Sequence, residues 1–308
     1  MIMQRRLPDY FLITLKGMAM GAADVVPGVS GGTIAFISGI YEELITSINN
    51  INFAALRIVR KEGVKAAWQK VNGNFLLSLF IGIAISVFSL AKGIGWLLEH
   101  KPVLLWSFFF GLVVASIIYV MRQITKFNLT TLLLLITGTA IGYYITILPP
   151  LGSSTDALWF LFLAGALAIC AMILPGISGA FILVLLGAYQ PVLQAVDERD
   201  MKIIIIVGLG AIVGLLSFSK LLKWTFTNYR NQTLAVLTGF IIGSLNKIWP
   251  WKETLTWRTN SHGEQVPLLQ KSISPFTFDG DAQLLLAIAL AIAGFLTIFI
   301  LERLAQKR

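Results

Sequence analysis

Cysteine is almost missing from this sequence. Cys170 stands alone in an apolar run, which excludes a disulfide framework and a cysteine metal cluster and leaves the thiol as a small buried hydrophobe. Histidine is nearly as scarce: His100 and His262 lie far apart, without metal-ligand spacing. No Ser–His–acid set, P-loop or zinc-protease motif occurs. The expectation is therefore no metal, no cofactor and no enzyme. Charge is thin as well. Asp, Glu, Lys and Arg together make up 13% of the chain, where a soluble domain carries about 25%.

What is abundant is apolar. Hydrophobic residues account for 56% of the 308 positions, gathered in long runs, so the chain reads as an all-α polytopic membrane protein. The net charge of +9 does not point to nucleic acid. The cations sit in short loops between apolar runs, where they orient a membrane protein. Arg5 and Arg6 precede an apolar stretch, but Lys16 interrupts it and no cleavage-type end follows, so a signal peptide is not expected.

One stretch breaks the apolar pattern twice. Val26-Pro27-Gly28-Val29-Ser30-Gly31-Gly32-Thr33 recurs as Leu174-Pro175-Gly176-Ile177-Ser178-Gly179-Ala180-Phe181, at an offset of 148. From Pro27 to Tyr41 against Pro175 to Tyr189, seven of fifteen positions are identical, where chance gives about one. At an offset of 128, Gly82/Gly210, Ser89/Ser217, Lys92/Lys220, Trp96/Trp224, Gly111/Gly239 and Ser116/Ser244 match, and Gly142 and Gly294 would continue the series.

Each half then reads as a helical hairpin followed by three transmembrane helices. The first repeat, 1–148, has a hairpin over 11–48, a basic loop at 49–74 with interfacial amphipathic character, and spans near 75–98, 103–121 and 130–148. A linker without cations, 149–156, leads to the second repeat, 157–308. That has a hairpin over 157–194 and spans near 203–222, 232–248 and 282–301, the last two separated by a polar insertion at 249–281. A hairpin limb of about 15 residues reaches roughly 22 Å, short of a hydrocarbon core about 30 Å thick. The hairpins are thus re-entrant or short tilted spans. With the N-terminus inside, both termini are cytoplasmic, and 16 of the 24 cations fall on the inner side, as the positive-inside rule asks. An odd number of crossings per half makes the two repeats inverted.

Inverted repeats with broken helices are a common build of secondary transporters, with the site near the midplane. Here Pro27, Gly28, Pro175 and Gly176 shape the hairpin tips. Ser30 and Ser178 are good N-caps for the helices that follow. The start of such a helix offers unpaired N–H groups and a positive dipole end, an anion site. Ser30, Gly31, Gly32, Thr33, Ser178 and Gly179 are therefore the candidate substrate-binding residues, with both ends expected to face one central cavity and Lys16 available as a nearby cation. Asp24 is a carboxylate at membrane depth, by default functional and a candidate proton carrier. Its counterpart is Met172, so a coupling group would sit in the first half only, with Glu42 as a second candidate.

The stretch Gly21-Ala22-Ala23-Asp24-Val25-Val26-Pro27-Gly28-Val29-Ser30-Gly31-Gly32-Thr33, followed by Gly39-Ile40-Tyr41-Glu42, resembles the signature of the bacterial polyprenyl-phosphate transporter family, PopT. The resemblance covers the chain from about residue 10 to the last span, and Pro175 to Gly179 fit the same pattern. It implies a flippase of the bacterial inner membrane that returns undecaprenyl phosphate from the outer to the cytoplasmic leaflet, recycling the carrier of cell-wall glycans such as peptidoglycan. The partners would be that lipid phosphate, the surrounding membrane lipids and a proton or another coupling ion. The same dipole ends would also serve a symporter of a small soluble anion. An intramembrane enzyme acting on lipid phosphates is a third reading, with Ser30 as nucleophile and Asp24 as base.

Overall fold

Fourteen helices and one β-hairpin make up the residues that the computed structural model describes, 5–26, 29–150, 157–259 and 265–306. The helix ends follow local chemistry. Helix α1 (Leu7–Val25) carries Pro8 in its first turn, with the Asp9 carboxylate accepting the Arg6 N–H at 2.8 Å, and ends as the chain extends at Val26 before Pro27; a residue before proline disfavours the helical region. Ser30 caps α2 (Gly31–Ile37). Gly39, at φ +74°, turns the chain into α3 (Tyr41–Asn49), a left-handed conformation natural to glycine.

The returning limb of the hairpin expected over 11–48 is therefore two helices. The second half breaks likewise at Gly187 (φ +73°), between α10 (Gly179–Leu185) and α11 (Tyr189–Asp197), which bend by 113°. The basic loop is also two helices, α4 (Phe53–Glu62), capped by Asn52, and α5 (Val64–Lys70), parted at Gly63.

Long helices follow in each half: α6 (Gly73–His100), α7 (Pro102–Met121) and α8 (Leu129–Ile147), then, after α9 (Leu158–Ile173), α12 (Met201–Asn228), α13 (Arg230–Ser244) and α14 (Leu284–Gln306). Among the described residues α6, α7, α8 and α12 are long and apolar enough to cross a membrane, and the bent α10–α11 pair would add a fifth span. Helix α13 stops at Ser244, 15 residues long, about 22 Å. The polar insertion departs from an all-α fold: β1 (Lys252–Thr259) and β2 (Gln265–Ser272) pair antiparallel. Its Thr-, Trp- and Val-bearing strands suit a pleated surface.

The two halves pack by the same plan. Helix α1 lies on α6 and α9 on α12; α14 lies on α7 and α8 on α13. Glycines set the spacing. Cβ atoms at Gly82 and Gly210 would overlap the carbonyl oxygens of Thr14 and Phe162, a pair of contacts related by the repeat offsets of 128 and 148. Gly294 abuts Phe108, and Gly138 abuts Val236. Gly138, rather than Gly142, is therefore the packing counterpart of Gly294. Small residues at crossings let backbones approach, the usual way helices associate in lipid.

The buried core runs through Val26, Ile45, Phe75, Leu79, Leu234, Leu237, Ile241 and Ile298. Outward, Phe80, Phe88, Ile136, Tyr144, Ile205, Ile212 and Ile292 are exposed. So much apolar surface has no place in water and fits a membrane protein.

Candidate functional site

The repeat's two motifs meet. Ser30 is 2% exposed and Thr33 1% exposed, and their hydroxyls are spent on the other half. Ser30 Oγ accepts the Gly32 N–H at 3.2 Å as an N-cap and donates to the Leu174 carbonyl at 3.1 Å. Thr33 Oγ1 accepts the Gly176 N–H at 2.9 Å. A Cβ on Gly32 would stand 2.6 Å from the Ile173 carbonyl oxygen, so only glycine lets the tips close this far. Gly176, at φ +86°, is in turn wedged against Phe240 and Ile241 of α13. Pro175 is buried beside it. Pro27 and Gly28 lie outside the described residues.

The α2 start is already occupied by a carboxyl group. The Gly31 N–H donates to Asp24 Oδ1 at 2.7 Å, and a Cβ on Gly31 would overlap the Asp24 carboxylate. A carboxylate is stabilised there by the unpaired N–H groups and the dipole. At the matching place in the second half Gly179 faces Met172 Cβ and the Ala168 carbonyl, and Ser178 makes no capping bond. The two helix starts are thus chemically different: one carries a charge-bearing plug, the other an apolar neighbour. Among the described residues the two tips are in direct contact.

The other candidates lie elsewhere. Lys16 Nζ donates to the Ser38 carbonyl at 2.7 Å, which puts the cation at the C-terminal end of α2, a seven-residue helix, about 10 Å from its start. A cation suits that negative end of the dipole. Glu42 is half exposed on α3 and pairs with Arg230 at the start of α13, across the two halves. Its neighbour Glu43 is the better-held carboxylate: Arg5 grips it with two bonds of 2.6 Å and Asn72 donates at 2.7 Å.

The Thr33–Gly176 bond also escaped sequence reasoning, because the partners are 143 residues apart and a threonine after two glycines carries no pairing signal. Thr33→Val keeps the shape and removes the acceptor. Leaving a buried N–H unpaired costs about 1–3 kcal/mol. The thermal midpoint of the detergent-solubilised protein is expected to fall accordingly, and Thr33→Ser, which keeps the oxygen, to restore it.

Residues 20–266 match the family model described as undecaprenyl phosphate translocase-like. The chain is 51% identical over 303 residues to a polyprenyl-phosphate transporter of Vibrio cholerae, covering 97% of this chain and 98% of the relative. It is 34% identical over 253 residues to a polyprenyl-phosphate transporter of Staphylococcus aureus, covering 77% and 85%. No solved structure matches it.

Proposed function

The chain belongs to the undecaprenyl phosphate translocase-like family, and on that premise we propose that it returns undecaprenyl phosphate from the outer to the cytoplasmic leaflet, with the headgroup passing between the two tips. Membership makes it a transporter rather than an enzyme.

The observation that carries the reading is the Asp24 carboxylate on the Gly31 amide. A phosphate monoester offers the same ligand type, an anionic oxygen, with more charge. It replaces Asp24 at the α2 start and takes the Gly31 and Gly32 amides with the Ser30 and Thr33 hydroxyls. Across the tip contact it gains Ser178 and the Gly179 amide, which no side chain caps in this conformation. The prenyl tail stays in lipid throughout, so few membrane-embedded cations are needed.

Alternation follows from the paired halves, taken as inverted repeats with both termini cytoplasmic. The Ser30–Leu174 and Thr33–Gly176 bonds close the path; a headgroup that competes for them opens it. A displaced Asp24 takes a proton, which couples the step to a proton gradient. Lys16 holds the far end of α2, and Glu42 ties α3 to Arg230. Both therefore bear on how the first hairpin moves.

The test is accessibility. Proteoliposomes with undecaprenyl phosphate in the outer leaflet are treated with a membrane-impermeant phosphatase after varied delay. The protein is expected to shelter a growing share of the lipid, and the Ser30→Ala/Ser178→Ala double variant to shelter much less. No acceleration over protein-free liposomes would refute the reading.

A further inference from the structure

The β-hairpin brings a second cationic feature against the second tip. Lys252, on β1, sets its ammonium 3.6 Å from the centroid of the Trp106 ring. Part of its stem meets solvent, but the nitrogen is buried and has no hydrogen-bond partner. Burial first, and then the nearby Lys247 ammonium, hold Lys252 well below the ordinary lysine range. Lys247, in the turn after α13, places its own ammonium 4.4 Å from the Phe181 ring. Phe181 lies in the first turn of α10, just past Ser178 and Gly179. Among the described residues neither lysine has an acidic partner within ion-pair distance.

The arrangement is expensive for folding alone. Two lysine nitrogens are brought together, out of water, with ring faces in place of counter-charges, and a ring face returns only part of the lost hydration. The frame around them is fixed. Trp249 Nε1 donates to the Ile273 carbonyl at 2.8 Å and Trp251 Nε1 to the Ala282 carbonyl at 2.9 Å. Ser272 Oγ bonds Asn246, tying β2 to the Lys247 turn. An apolar groove of about 540 Å³ opens between α8 and α13, lined by Ile136, Ala140, Tyr143, Ile242 and Asn246 among others. Asn246 directly precedes Lys247, so the groove adjoins the cationic end.

We propose that Lys247 and Lys252 form a loading station for a phosphate monoester headgroup, with the prenyl tail of the same lipid in the α8–α13 groove. The station deepens the transport reading and rests on it: it is where the headgroup is held before it reaches the tips. The two ammonium groups leave the Trp106 and Phe181 faces and donate to the phosphate oxygens as point charges. The groove selects a long apolar tail, and the lysines select the phosphate. The same charge pair also attracts free phosphate, and the experiment separates the two sources.

The test uses the full chain in nanodiscs, titrated with undecaprenyl phosphate, with undecaprenol and with inorganic phosphate. Lys247→Met, Lys252→Met and the double variant are compared with the wild type. Each substitution is expected to weaken undecaprenyl phosphate binding about tenfold or more, the weight of one charge-assisted hydrogen bond, and to leave undecaprenol binding unchanged. Lys252→Met is expected to melt at or above the wild-type temperature, because it removes a buried nitrogen that has no hydrogen-bond partner. A lysine-dependent site that takes inorganic phosphate as tightly as the lipid keeps the anion station and assigns it to the free ion. Full lipid-phosphate affinity in the double variant overturns the proposal while leaving the transport reading intact. So does a fall in melting temperature without a selective loss of phosphate binding, which would make the pair structural.

Discussion

Asp24→Asn should leave a folded protein whose transport of undecaprenyl phosphate no longer responds to a pH gradient and is at least about tenfold slower, the weight of one charge-assisted hydrogen bond. Asparagine keeps the size and an oxygen that can accept from the Gly31 N–H, so the α2 start remains capped. It cannot take or release a proton. The plug would then stay in one charge state, and the return of the empty site would lose its driving step. The phosphatase-protection assay, run with and without an imposed pH gradient, measures this. Undiminished transport that still follows the gradient would remove Asp24 from coupling.

The second large effect is structural. Gly82, Gly111, Gly210 and Gly294 stand where helix backbones touch, and a Cβ on each would overlap a carbonyl oxygen of the facing helix. Alanine there must push α6 from α1, α7 from α14 or α12 from α9. Such overpacking costs about 3 kcal/mol or more where backbone must move, enough to abolish folding of a marginal protein. Gly93 and Gly208, on α6 and α12, have no neighbour within 4 Å of an added Cβ. Alanine at those positions is expected to be neutral or to stabilise by up to about 1 kcal/mol. The yield and thermal midpoint of monodisperse protein distinguish the two sets. Equal tolerance in both would mean that the paired helices do not cross where described.

These glycines show which parts of the fold were readable. Gly82/Gly210 and Gly111/Gly239 were visible as repeat positions, because close backbone approach leaves glycine no substitute. The correspondence of Gly294 with Gly138 was not, since nothing local to a glycine says which helix backbone it meets. Gly39 and Gly187 were counted as identities, yet their positive φ breaks each returning limb; an identical glycine signals a constraint without saying which. The β1–β2 pair was legible only as Thr- and Trp-rich composition inside a polar insertion, because such composition does not say which residues pair across strands.

At the site, local chemistry was legible and long-range chemistry was not. Ser30 as an N-cap follows from its place before two glycines and an apolar run, and the helix starts follow from the Pro-Gly breaks. Asp24 stood out because a carboxylate there is costly. Its partner, the Gly31 amide, is local too, but bending the chain back on itself requires residues whose conformation a sequence does not give. The bonds that lock Ser30 to Leu174 and Thr33 to Gly176 join the two halves and depend on tertiary packing. Lys16 looked like a headgroup cation because distance along the chain was the only guide; the fold puts it at the other end of α2.

The central claim is that the substrate phosphate and the Asp24 carboxylate compete for the α2 start. The direct measurement is the Kd of undecaprenyl phosphate for the wild type and for Asp24→Asn, in nanodiscs, across pH. The ratio of the two constants cancels the ionisation of the lipid itself. At low pH, where Asp24 is protonated, the ratio should approach one. As pH rises and the carboxylate becomes charged, the wild type should bind progressively more weakly than Asp24→Asn, by about tenfold at the alkaline end. A ratio that stays at one across the whole range would mean that headgroup and carboxylate never share a site, and the account would fail.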